Sequence, residues 1–158
     1  VYGYEGTDVA SAMSTSNYET YGVLYNWPAV MTEGICPSGW HVPSDGEWQT
    51  MEMSLGMSEA EAASEGWRGT DEGYQMKSTS GWNSGGNGSN SSGFNGLPGG
   101  YCYYVGFSND GVDGLWWSAS DSGFGSNSWS RILSYYNDYV HRDIEYRAHG
   151  FSARCVRD

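Results

Sequence analysis

Gly150-Phe151-Ser152-Ala153-Arg154-Cys155-Val156-Arg157-Asp158 reads as a packed strand, with Phe151, Ala153 and Cys155 on one face and Ser152, Arg154 and Val156 on the other. Upstream, Ser128-Trp129-Ser130-Arg131-Ile132-Leu133-Ser134-Tyr135 predicts a second strand, with Arg131 and Leu133 packing. Between these flanks lie Tyr135, Tyr136, Asn137, Asp138, Tyr139, His141, Asp143, Ile144, Glu145, Tyr146 and His149. Few of those residues suit a core and many suit contact. The reading is a recognition surface held between two fixed strands.

Leu115-Trp116-Trp117-Ser118-Ala119-Ser120 predicts a further strand, and Asp121 to Asn127 a hairpin connection. Adjacent residues of a strand point to opposite faces, so Trp116 and Trp117 must serve two different surroundings. Further upstream, Ser44-Asp45-Gly46-Glu47 and Ser58-Glu59-Ala60-Glu61 have the spacing of capping boxes and predict two short helices. Trp48, Met51 and Leu55 share one face of the first, which Gly56 stops. The second runs to about Ser64 and is stopped by Gly66. Residues 78–100 are dense in Gly, Ser and Asn, but Trp82, Phe94, Leu97 and Pro98 recur through them, which predicts an ordered long loop. Near the start, residues 1–16 read as an extended arm, and Tyr21 to Trp27 as a strand ended by Pro28. Strands, helices, long loops and a final cluster of strands make an α+β order in a single domain over residues 1–158.

The 158 residues carry a formal net charge of −12, with 8 Trp and 13 Tyr. So many aromatics argue against disorder. The acidity argues against a nucleic-acid partner and an anionic membrane surface, and suits solubility. No run approaches the roughly 20 apolar residues that span a bilayer. The chain begins at Val1 without a signal-like segment and reads as a mature or excised fragment. Three cysteines, Cys36, Cys102 and Cys155, allow one bridge and one free thiol, with connectivity left open. His41, His141 and His149 lack the short spacing of a zinc site, and no serine is singled out as a nucleophile. Asn109, Asp110 and Asp113 could cup a structural calcium, though turn chemistry accounts for Asn-Asp-Gly without one.

Taken in order, Tyr21-Gly22-Val23-Leu24-Tyr25-Asn26-Trp27, Ile35-Cys36-Pro37-Ser38-Gly39-Trp40-His41-Val42-Pro43-Ser44-Asp45-Gly46-Glu47-Trp48, Ser78-Thr79-Ser80-Gly81-Trp82, Gly93-Phe94-Asn95-Gly96-Leu97-Pro98-Gly99-Gly100-Tyr101, Trp116-Trp117-Ser118 and Gly150 to Val156 resemble the Fibrobacter succinogenes major paralogous domain family. The resemblance covers nearly the whole chain. It implies a C-type lectin-like fold, similar to formylglycine-generating enzymes and to the variable proteins of diversity-generating retroelements. It further implies a bridge between Cys36 and Cys155, hence an oxidising compartment. A bacterial cell-surface, lipoprotein-anchored or phage-particle setting fits the family. Cys102 departs from the family's pattern, and no second cysteine pair is present for formylglycine-type chemistry, so no enzyme is expected.

In relatives the tail is rich in Asn. Single adenine changes in an Asn codon give Asp, His, Tyr, Ser and Ile. Ser130, Ile132, Ser134, Tyr136, Asp138, Tyr139, His141, Asp143, Ile144, Tyr146 and His149 fit that set, and Glu145 does not. Those eleven residues are the candidate ligand-binding face, with Val140, Arg142 and Arg147 as scaffold. The expected function is non-catalytic binding of a protein or glycan on another surface. The alternative is a non-diversified surface domain with a carbohydrate-binding or structural role.

Overall fold

The structure is a computed structural model that describes residues 1–104 and 106–158. Three short helices come first: α1 (Val9–Met13), α2 (Ser16–Tyr21) and α3 (Trp27–Val30). Asp8, Thr15 and Asn26 start them, each side chain accepting a hydrogen bond from a first-turn N–H. This corrects two expectations. The arm at residues 1–16 is partly helical because Asp8 and Thr15 act as caps. The segment from Tyr21 to Trp27 is not a strand, because Gly22 ends α2 at φ 74° and Asn26 begins α3. Pro28, expected to end a strand, instead occupies the first turn of α3, where its missing N–H costs nothing.

After β1 (Trp40–His41) come α4 (Asp45–Leu55) and α5 (Glu59–Ala63). Both capping boxes form: Ser44 with Glu47, and Ser58 with Glu61. Trp48 is buried, and Met51 and Leu55 pack beside it against the core. Next come β2 (Gly66–Arg68) and a helix not expected from sequence, α6 (Glu72–Met76). Its cap residue Asp71 makes no side-chain cap bond, and at five residues the helix is too short to show a periodic apolar pattern. The Gly-rich stretch is ordered as expected. Trp82 is buried and its indole N–H donates to Ser78 Oγ and to the Gly96 carbonyl, at 3.0 and 3.2 Å. Gly88 lies so close to the Tyr74 and Lys77 carbonyls that a Cβ would collide with both.

The remaining strands are β3 (Gly99–Tyr103), β4 (Gly106–Asp110), β5 (Asp113–Asp121), β6 (Asn127–Ser134), β7 (Val140–Tyr146) and β8 (Val156–Arg157). Six strands form one sheet in the order β2-β7-β6-β5-β3-β4, and β1 pairs with β8 separately. Neighbours are antiparallel except β3 and β5, which meet in parallel at Gly100 and Gly114. The molecule is α+β. The expected strands at residues 115–120 and 128–135 lie largely within β5 and β6, joined by the expected hairpin. The expected C-terminal strand is mostly absent. Gly150, Phe151 and Ser152 make single bridges to Cys102, Tyr25 and Trp116, and only Val156–Arg157 forms a ladder. The segment crosses several partners in turn, so no neighbour runs beside it.

The two tryptophans of β5 divide the core as alternation requires. Trp116 packs with Trp48, Phe94 and Leu133 on the helix side of the sheet. Trp117 lies on the other side with Val30, Val42 and Leu115, stacked on Phe151 at 4.4 Å between ring centroids. Cys36 and Cys155 are bridged, with Cα atoms 5.8 Å apart and a separation of 119 in sequence. Cys102 is free and half-buried. Closing so long a loop restricts the unfolded chain by about 4–5 kcal/mol. Replacing Cys36 and Cys155 by serine should lower the urea-unfolding free energy by about that amount. Equal stability of the bridged protein and the variant would show that the bridge contributes nothing.

Candidate functional site

The side of the sheet that faces α4 carries a closed set of charges. Arg131 is fully buried; its Nε donates to Glu52 Oε1 at 2.6 Å and its Nη1 to Asp45 Oδ1 at 2.8 Å. Arg142, directly opposite Arg131 on β7, donates Nη2 to Asp45 Oδ2 at 2.7 Å. Arg68 on β2 donates Nη2 to the second oxygen of Glu52, also at 2.7 Å. Aromatic rings cover two of these guanidinium groups, Trp129 at 3.5 Å from Arg142 and Trp48 at 5.8 Å from Arg131. Burial alone would raise the Asp45 pKa, but the hydrogen bond from Arg142 and the charge and hydrogen bond of Arg131 outweigh it and hold the carboxyl down to about 2.

Lys77 anchors the turn between β6 and β7. Its ammonium is buried and donates to the main-chain carbonyls of Ser134 and Asn137, at 3.1 and 2.7 Å, and to Asp138 Oδ1 at 3.3 Å. On the other side of the same turn, Gly73 packs so closely on the Asp138 and Tyr139 carbonyls that a Cβ would overlap them.

The opposite side of the sheet differs. Alternation along β7 puts His141, Asp143 and Glu145 there in one row. At one end of the row, Trp67 of β2 sits directly opposite His141, their rings edge to face at 4.7 Å. Tyr136 packs edge-on against Trp67 at 5.8 Å and is 63% exposed. At the other end, Glu145 accepts from the Tyr103 hydroxyl at 3.3 Å and lies 3.2 Å from His149 Nδ1. Tyr103 stacks on Tyr101 at 4.2 Å and lies tilted against His149 at 4.1 Å. Tyr104, 76% exposed, and Tyr146 gather around His149 at 5.2 and 5.8 Å. Burial, and after it the negative charges of Asp113 and Glu145, push the Tyr101 hydroxyl pKa up. The His141 pKa is lowered, first by burial and then by the nearby charge of Arg68, against the opposing pull of Asp143.

The candidate residues from sequence divide accordingly. Tyr136, His141, Asp143, Tyr146 and His149 lie on or around this aromatic row, and Asp138 and Tyr139 are exposed at the β6–β7 turn. Ser130 and Ser134 do not suit display, because both are fully buried. Their hydroxyls donate inward, Ser130 to the Asp143 carbonyl at 3.2 Å and Ser134 to Asp113 Oδ1 at 2.6 Å. Ile132 packs against the core that surrounds Trp117. Ile144 shares the opposite side with its partner Trp129 and with Arg142. Arg142 and Val140 are buried as scaffold, and Arg147 is half-buried against Trp27. Trp67, Tyr101, Tyr103 and Tyr104 belong to the face but were not singled out from sequence. The alternation in Tyr101-Cys102-Tyr103 was the available signal.

Asn109 donates to Asp113 Oδ2 at 2.6 Å across the β4–β5 turn, and Asp113 Oδ1 accepts from Ser134 of β6, so two of the three calcium candidates already have partners within the chain. Among the described residues no group of three or more His, Cys, Asp or Glu is placed to hold a metal. His41 lies between Glu47 and Asp158, at 2.7 and 2.5 Å, far from the other two histidines along the chain. Two clefts of about 390 Å³ lie elsewhere, one lined by Tyr4, Val9 and Met13, the other by Met31, Trp40 and His41. Neither borders the aromatic face.

These features define an α+β domain, tied by one disulfide, whose sheet carries a buried ionic network on one side and, on the other, a second core beside a partly exposed aromatic row along β7 and β2. The chain belongs to the family described as the Fibrobacter succinogenes major domain, which it matches over residues 2–157. No curated protein and no solved structure matches it.

The depressed pKa of Asp45 links the network to pH. A carboxyl held down in the folded state contributes stability above its unfolded value near 3.8, and this is lost as pH falls through about 2. Between roughly pH 4 and 2 the domain should lose about 2 kcal/mol from this group alone. Asp45→Asn should be less stable at neutral pH and show a flatter decline across that window in unfolding titrations.

Proposed function

We propose that the domain binds a protein or glycan partner through the aromatic face built on β2, β7 and β3, without catalysis. The observation that carries this reading is the sidedness of β7. Arg142 and Val140 lock into the buried side, while His141, Asp143 and Glu145 stand in a row on the other, with Trp67 and Tyr136 at one end and Tyr103, Tyr104 and Tyr146 at the other. Tyrosine suits such a surface because it supplies large contact area at low entropy cost and one polar handle.

The scaffold is read as C-type lectin-like and the setting as a bacterial cell surface or phage particle; formation of the Cys36–Cys155 bridge needs an oxidising compartment. We read the face as diversified by a retroelement acting on Asn-type codons. Ser130, Ile132, Ser134 and Ile144 drop out of the contact set, and the exposed members remain. A near-identical, Asn-rich template beside a reverse transcriptase gene would support diversification, and its absence from the complete genome would remove it. A second reading, glycan binding by a non-diversified surface domain, is favoured by the half-exposed Trp40 at the mouth of the cleft with Met31 and His41.

Joint replacement of Tyr136, Tyr139 and Tyr146 by alanine should weaken binding at least tenfold to a partner captured with the wild-type domain, measured by calorimetry. The unfolding temperature should fall by only a few degrees, because all three rings are substantially exposed. Unchanged affinity would place the binding surface elsewhere, and loss of affinity on Trp40→Ala alone would favour the second reading.

A further inference from the structure

We infer that the partner of the aromatic face is a protein segment that presents arginine or lysine side chains. This rests on the reading of that face as the binding surface and adds the chemical class of what it binds. The starting point is where the cations go. The chain has only seven Lys and Arg against nineteen Asp and Glu. Arg68, Arg131 and Arg142 are consumed in the buried network with Asp45 and Glu52. Lys77 is buried beneath the β6–β7 turn. Arg147 pairs with Asp121 and lies over Trp27 at 4.3 Å, and Arg154 donates to the Phe94 carbonyl. Only Arg157 remains, on the separate β1–β8 ladder.

The aromatic face therefore has carboxylates and no opposing guanidinium or ammonium at its surface; the one basic group beside a carboxylate is the imidazole of His149, 3.2 Å from Glu145, and Asp143 has no ion-pair partner among the described residues. Asp143 and Glu145 stand in its central row, and Asp113 lies near enough to act on Tyr101 and Tyr103. His141 does not supply the missing charge. Its Nδ1 is buried without a hydrogen-bond partner, and burial disfavours the imidazolium. Tyr101, Tyr136 and Trp67 offer ring faces and edges along the same face, while Tyr103 is already packed against Tyr101, His149 and Phe151. An arginine or lysine gains from both at once, the ring through cation–π attraction and the carboxylate through a charge-assisted hydrogen bond. An acidic or phosphate-bearing partner meets only like charge. A second copy of the chain meets the same field and is repelled. The face runs from β2 across to β3, roughly 19 Å at the usual strand spacing of about 4.8 Å, which is wider than a small cation and suited to several side chains of one polypeptide.

The test is selection of a random dodecapeptide library on the intact domain. Binders are sorted by whether Trp67→Ala with Tyr136→Ala abolishes their capture, and affinities are then measured by calorimetry. Face-dependent binders should be enriched in Arg and Lys. Asp143→Asn with Glu145→Gln should weaken them at least tenfold, and Glu33→Gln with Glu59→Gln, which removes the same charge from exposed sites elsewhere, less than threefold. Face-dependent binders without basic residues would overturn the inference and leave the face as a binding surface. Equal weakening by the two double variants would also overturn it, since attraction would then be to the polyanion as a whole. Displacement of the peptides by spermine at equal concentration of charge would assign the face to free polyamines instead. Binders indifferent to Trp67 and Tyr136, or none at all, would overturn the reading of the face itself.

Discussion

The contact on which the fold turns is the double grip of Asp45 on Arg131 and Arg142. Asp45 is the first residue of α4, and the two arginines face each other across β6 and β7. One carboxylate therefore fixes a helix onto a particular row of a particular strand pair. Glu52, two turns further along, repeats the arrangement with Arg131 and Arg68 and brings in the edge strand β2. Desolvating so many charges is expensive, and such networks add little net stability over an apolar core of the same shape. Their effect is on alternatives. A one-residue slip of β7 would bury His141 and Asp143 against α4 and expose Arg142, leaving Asp45 and Glu52 short of their partners. Removing a single member strands the others, which typically costs 3–5 kcal/mol.

Much of this was legible in the sequence wherever the signal was local. The two capping boxes placed α4 and α5, and the Trp116-Trp117 pair announced two core regions on either side of one strand. Alternation around Arg131 and Leu133 marked the packed side of β6. What failed depended on contacts distant in sequence. Ser130, Ile132 and Ser134 alternate as a displayed face would, but the chain elsewhere covers that part of the sheet. The hydroxyl of Tyr103, on β3, reaches Glu145 on β7, and Asp113 takes Ser134. No periodicity in β6 could report what lies above it. Ile144 was assigned by residue type, although its parity with Arg142 places it on the buried side. The charged network was likewise hidden, since Asp45 and Glu52 read locally as ordinary members of an acidic helix.

Sidedness also explains why the aromatic face is so acidic. Six of the seven basic residues have structural partners inside the molecule, while most of the carboxylates stay at the surface. The charge of the face follows from how the scaffold is held together. Any change that freed Arg142 or Lys77 from its internal partners would alter the field at the surface as well as the stability of the sheet.

Lys77 holds the β6–β7 turn mainly by its main chain. Two of its three acceptors are peptide carbonyls, and Gly73 seats against two more. Every residue has a carbonyl. A clamp of this kind is blind to the identity of the residues in its grasp, so the turn keeps one shape while the side chains it carries are free to differ. Conformation and composition are uncoupled in this exposed turn.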